Sequence, residues 1–205
     1  MTNHLPVKVN QLPPLPSDLV ERIEEYSEQA KGALSGNTER AYRADTAVFC
    51  TWCAEQGCKP LPAAPETVAA FVDAMSGTRK PATVRRYIAA IAKLHAAAGL
   101  ESPARAEIVK LAVKRMNRSV GTRQDQASPL NRETVDKMIA ATEALLPQSG
   151  DDRRRLIHLR DVALLSVAYD TLVRRSELIA IGIEDIAYSE DGNGTVLIRK
   201  SKTDQ

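Results

Sequence analysis

Apolar residues recur at steps of three and four along most of this chain, a spacing that predicts a mainly helical fold. Residues 18–31 read as a short amphipathic helix stopped by Gly32. Asn37 or Thr38 is the expected cap of a second helix, whose stripe of Ala41, Ala44, Val48, Phe49 and Trp52 runs to about Gln56. Pro65 and Pro81 sit where a first helical turn tolerates proline, opening helices over 65–75 and 81–98, with Gly99 as the last cap. Ser102-Pro103 reads as the opening of a fifth helix through Met116. After a polar stretch, Asn131 caps a helix to 146, and 153–169 forms another. Its nearly unbroken apolar run, Val162 to Ala168, predicts burial on most sides. A short helix at 174–180 follows. The period then changes to that of two strands, Asp185–Tyr188 and Thr195–Arg199, joined by a turn with D-G and N-G signals.

These elements divide the chain into an extended, proline-rich arm (1–17), an all-helical unit (18–118), a linker (119–130) and a mixed α/β unit (131–205). Two strands cannot make an independent sheet, so the reading expects more protein beyond Gln205. No run approaches the roughly 18 apolar residues that span a bilayer, and the first ten residues lack an apolar signal core. A cytoplasmic, nucleoid-associated protein with no membrane partner is the expectation. Cys50, Cys53 and Cys58 read as reduced thiols. The C-x-x-C has no second ligand pair for zinc, so no metal is expected.

Net charge is only +2, but it is unevenly spread. Residues 79–123 carry eleven Lys/Arg against two Asp/Glu, while both flanks are net acidic. A solvated face usually mixes signs. A block of one sign is stabilised best by a polyanion, whose released counterions drive association. Nucleic acid is the partner this implies, the alternative being a plain basic surface.

The stretch Asp170-Thr171-Leu172-Val173-Arg174-Arg175-Ser176-Glu177-Leu178 suggests chemistry. Glu177 lies three residues beyond Arg174, on the same helical face. Spacing alone leaves two readings open: a structural Arg–Glu pair, or an arginine held to receive phosphate bidentately.

Thr171, Arg174, Glu177, Leu178, Asp185 and Ile186 fit T-[GL]-[LV]-R-x-x-E-[LI] followed by D-[IV]. This resembles the first catalytic-arginine motif of the tyrosine recombinase (phage integrase) family. Arg199-Lys200-Ser201-Lys202-Thr203 is similar to the family's catalytic-lysine turn and selects Lys202. NQLPPLPSD, NTERAYRADTAVFCTWC, LPAAPETVAAFV, TVRRYIAAIAKLHAAAGL and AVKRMNRS resemble, in order, segments of Cre-type members.

The resemblance implies an all-helical SAM-like core-binding domain followed by the first part of a mixed α/β catalytic domain, the two clamping duplex DNA. It implies site-specific recombination through a phosphotyrosyl intermediate, with no cofactor. Arg174 would stabilise the phosphorane oxygens, Lys202 would protonate the departing 5′ oxygen, and Glu177 would orient the arginine. Thr38, Arg40 and Arg43 in the second helix, and Arg79, Lys80, Thr83, Arg85 and Arg86 around the start of the fourth, would face DNA, together with Lys114, Arg115, Arg118 and Arg123. Ala41 and Ala82 replace larger side chains at the family's groove positions, so site preference should differ. The H-x-x-R motif, the nucleophilic tyrosine and the helix exchanged between protomers of a DNA-bound tetramer are not in these residues. The five tyrosines all precede Lys202. The expectation is a fragment inactive alone, the alternative being a non-catalytic duplex-binding module.

Overall fold

A computed structural model describes residues 16–123, 126–145, 152–199 and 201. The chain is mainly helical and divides into two compact units between Asp125 and Gln126. The arm of residues 1–15 and Lys202 lie outside the described residues.

The first unit holds α1 (Ser17–Gln29), α2 (Gly36–Gln56), α3 (Pro65–Ser76), α4 (Pro81–Ala97) and α5 (Glu107–Val120). Local chemistry sets most of their ends. Pro65 and Pro81 each occupy a first turn, where the missing N–H costs nothing. Gly57 closes α2 in the left-handed region (φ 65°), while the Cys58 and Gly57 N–H groups donate to Cys53 and Ala54 carbonyls. Gly99 (φ 68°) closes α4 the same way.

Three boundaries differ from expectation. The α2 cap is Ser35, whose Oγ accepts from the Thr38 N–H at 3.2 Å, so Asn37 and Thr38 lie inside the first turn. Pro103–Arg105 forms one 3₁₀ turn rather than the start of α5. Ala106 is extended and breaks the helix before Glu107. The last helix of this unit also runs on to Val120, two residues into the stretch read as linker.

The core of this unit is continuous. Phe49 and Cys53 from α2, Val68, Phe71 and Val72 from α3, Val84, Tyr87 and Ile91 from α4, and Val109, Ala112 and Met116 from α5 are buried together. Phe71 is its aromatic centre, with ring centroids 5.1 Å from Phe49, 5.4 Å from Trp52 and 5.9 Å from Tyr87. The three thiols are free. Burial, with the neighbouring Cys58 thiol, raises the pKa of Cys53 far above its ordinary value. His95 is 1% exposed. Its Nε2 accepts from the Ala63 N–H at 2.9 Å, and its Nδ1 lies 2.8 Å from the Ile91 carbonyl. That pairing selects the neutral ring protonated at Nδ1.

The second unit contains α6 (Arg132–Ala144), α7 (Asp152–Thr171), α8 (Arg175–Leu178) and an antiparallel pair, β1 (Ile186–Tyr188) with β2 (Gly194–Val196). Asn131 caps α6 as expected, its Oδ1 accepting from the Thr134 N–H at 2.8 Å. Arg132 ties α6 to α7, bonding Asp170 at 3.1 Å and lying over the Tyr169 ring.

The burial expected for α7 is not found. No residue of α7 is buried, and the run from Val162 to Ala168 is mostly half-exposed. An apolar helix needs neighbours on several sides. Among the described residues only α6 and α8 pack on it substantially. The strands are three residues each, shorter than predicted, and pair Ile186 with Val196 and Tyr188 with Gly194.

Candidate functional site

The bend before Arg174 is set by the backbone. Leu172 follows α7 at φ 53°, a left-handed conformation that usually falls to glycine, and its side chain is exposed. Replacing Leu172 with Gly should stabilise the second unit by about 0.5–1 kcal/mol in urea unfolding, the relieved strain exceeding the added chain entropy.

Beyond the bend, Arg174 is the extended residue that precedes α8. Glu177 turns back on it. One carboxylate oxygen accepts from the Arg174 backbone N–H at 2.8 Å, and the other from Arg174 Nη1, also at 2.8 Å. Ser201 completes the cluster. Its Oγ accepts from Arg174 Nη1 at 3.2 Å and donates to Glu177 Oε1 at 3.0 Å. These bonds from Arg174, backbone first and guanidinium second, hold the Glu177 carboxyl down to about 2, with Ser201 adding to the effect.

Exposure separates the partners. The Glu177 side chain is 8% exposed and that of Arg174 is 51% exposed. The carboxylate is thus spent on holding the arginine, while the guanidinium keeps an open side. The pair is thus closed on the carboxylate side and exposed to solvent on the arginine side.

Asp185 organises the approach of the strand segment. Its carboxylate accepts from the Gly182 N–H at 2.9 Å and from Arg199, and its carbonyl accepts from the Leu197 N–H at 2.8 Å. The Gly182 bond and the Arg199 guanidinium hold its carboxyl below the ordinary range. Arg199 lies two residues before Ser201, so Asp185 and Glu177 secure the same stretch at two points.

In the first unit several basic residues have bonds that fix their side chains. Arg86 bonds Asp45 of α2 through Nε at 2.7 Å and Nη2 at 2.9 Å. Arg115 bonds Asp73 of α3 at 2.6 Å, and Arg85 donates to Asn117 of α5 at 2.8 Å. Arg40 folds back onto Asn37 and the Gly36 carbonyl. Arg43, Arg79, Lys80, Lys114, Arg118 and Arg123 have exposed side chains. Thr38 and Thr83 are half-buried, the Thr38 hydroxyl lying 2.9 Å from that of Ser35.

The Arg85–Asn117 bond places the beginning of α4 beside the end of α5, so Arg85 and Arg118 share one region. The start of α2 does not join them. Glu39, Tyr42 and Arg43 line a cleft with Lys93, Leu94 and Ala97 from the end of α4.

Asp45, Ser201 and Asp185 were not singled out as site residues from sequence. Asp45 had a readable signal, an acid four residues from both Ala41 and Phe49 on an apolar stripe. Among the described residues no helix is long and apolar enough to cross a membrane, and no group of three or more His, Cys, Asp or Glu side chains is placed to hold a metal.

Comparison with known proteins gives the same direction. Residues 23–102 match the family described as phage integrase, N-terminal SAM-like domain. The chain is 33% identical over 193 residues to an integrase/recombinase xerD homolog of Selenomonas ruminantium, covering 91% of this chain and 54% of that protein. It is 28% identical over 211 residues to the recombinase Cre of Escherichia phage P1, covering 99% of this chain and 59% of that protein. The chain thus spans little more than half the length of these relatives. Residues 23–102 are a phage-integrase N-terminal SAM-like domain, in a chain homologous to the xerD-type and Cre recombinases.

Proposed function

We propose that this chain binds duplex DNA and presents a phosphate-binding arginine for site-specific recombination, the strand cleavage and rejoining of its family. The observation that carries the reading is the Arg174–Glu177–Ser201 cluster, whose arginine side chain stays half exposed and whose serine is the residue before Lys202. Arg174 stabilises charge on the non-bridging oxygens of the attacked phosphate. Lys202 is the proton donor to the leaving oxygen. Glu177 and Ser201 fix the guanidinium before DNA arrives, so its ordering entropy is not charged to the reaction.

The exposed cations of the first unit, Arg43, Arg79, Lys80, Lys114, Arg118 and Arg123, together with Arg85, neutralise backbone phosphates. Neutralising about six phosphates makes affinity fall about a thousandfold between 50 and 200 mM salt. Fluorescence anisotropy on a short labelled duplex measures this. No binding at either salt concentration overturns the proposal. A duplex nicked near the scissile position then separates two forms of it. A trapped protein–DNA adduct shows cleavage by this chain, whereas binding without an adduct selects the non-catalytic duplex-binding module.

A further inference from the structure

The Asp45–Arg86 pair is costly for a helical core. The Asp45 side chain is 3% exposed, while the side chain of its partner Arg86 on α4 is 59% exposed. Asp45 stands on the stripe that buries Phe49, where an apolar side chain would pack without taking a charge from water. Its contact is also specific. Both carboxylate oxygens are used, one by Nε at 2.7 Å and one by Nη2 at 2.9 Å, and this raises the Arg86 pKa.

A guanidinium has five N–H donors in a rigid plane. Asp45 takes two from one edge. The edge formed by Nη1 and the remaining Nη2 hydrogen is left, with the orientation of the plane already fixed. Arg86 lies one turn into α4, next to Arg85 in the basic block.

We propose that Asp45 is a positioning residue that grips Arg86 from beneath and aims its free edge at a paired acceptor on duplex DNA. The acceptor is either a phosphate or the O6/N7 edge of a guanine, which share bidentate chemistry. The inference rests on the DNA-binding reading above and assigns Asp45, an acid buried among apolar neighbours, to that site.

The sign of one measurement separates this from a structural role. Asp45→Asn removes a negative charge near DNA. If Asp45 only balances charge inside the fold, the variant binds duplex as tightly as the parent or more tightly. If Asp45 aims Arg86, the variant binds more weakly, by about five- to tenfold, the loss of a well-placed bidentate contact.

The test compares the full chain, Asp45→Asn, Arg86→Ala and the double variant on a randomised duplex pool. All are measured at a temperature where circular dichroism shows each folded. The expected result is weaker binding by Asp45→Asn that disappears when Arg86 is already alanine. A loss confined to duplexes carrying one base identifies the guanine edge. A loss equal across sequences, with a shallower salt dependence in Arg86→Ala, identifies a phosphate. Unchanged or tighter binding by Asp45→Asn, or a loss that persists without Arg86, overturns the proposal. Failure of the parent chain to bind any duplex removes the DNA reading and this inference together.

Discussion

Phe71→Ala should destabilise the first unit by about 3–5 kcal/mol, read as a shift of the urea midpoint followed by tryptophan fluorescence. Phe71 is fully buried and meets Phe49, Trp52 and Tyr87, so it joins three helices through one ring. Its removal costs the transfer of a phenyl group from water and leaves a cavity among side chains fixed by two other helices. The aromatic pairs add about 0.5–1.5 kcal/mol each beyond area. Trp52 is the chain's single tryptophan and lies against this ring, so it reports the change directly. Phe71→Leu should cost much less, since volume is largely kept. A Phe71→Ala midpoint within error of the parent would show that the core does not close around this ring.

Acid should weaken the same unit through His95. Burial lowers its pKa in the folded protein, opposed by the Ile91 carbonyl. The unfolded chain therefore binds a proton near pH 6.5 that the folded chain refuses. More protons are bound by the unfolded state in that range, so unfolding free energy rises with pH. Stability is full above about pH 6.5 and falls as pH drops below it, until the folded ring also titrates. His95→Leu keeps much of the volume but leaves the Ala63 N–H without its acceptor, costing about 1–3 kcal/mol. The variant should also lose this part of the acid sensitivity. Urea midpoints at several pH values for both proteins measure the two effects. Parallel pH profiles for parent and variant would assign the acid response elsewhere.

Much of the helical framework is readable because its signals are local. Pro65, Pro81, Gly57, Gly99 and Asn131 act within one turn, and each stands where the structure uses it. The errors have non-local or competing causes. Asn37 and Thr38 are good caps, but Ser35 precedes them and takes the Thr38 N–H first. The 3₁₀ turn at Pro103 keeps the proline start but not the helix. The run in α7 predicts burial only if neighbours exist, and no window of α7 contains its neighbours.

Charge is the least legible quantity of all. Arg86 and Arg115 look alike in sequence to Arg118, yet the first two meet Asp45 and Asp73, which lie about forty residues earlier in the chain. At the candidate site, the Arg174–Glu177 pair follows from a three-residue spacing. Ser201 joins it across a separation of 27 residues, brought there by the pairing of β1 with β2 and by Arg199 on Asp185.

The two units carry unequal interiors. The first buries thirteen side chains in one cluster, whereas among the described residues of the second Val135 is the sole buried hydrophobe. Such halves have no reason to melt in a single step. Calorimetry should resolve a weak early transition from the second unit and a later cooperative one from the helical first unit.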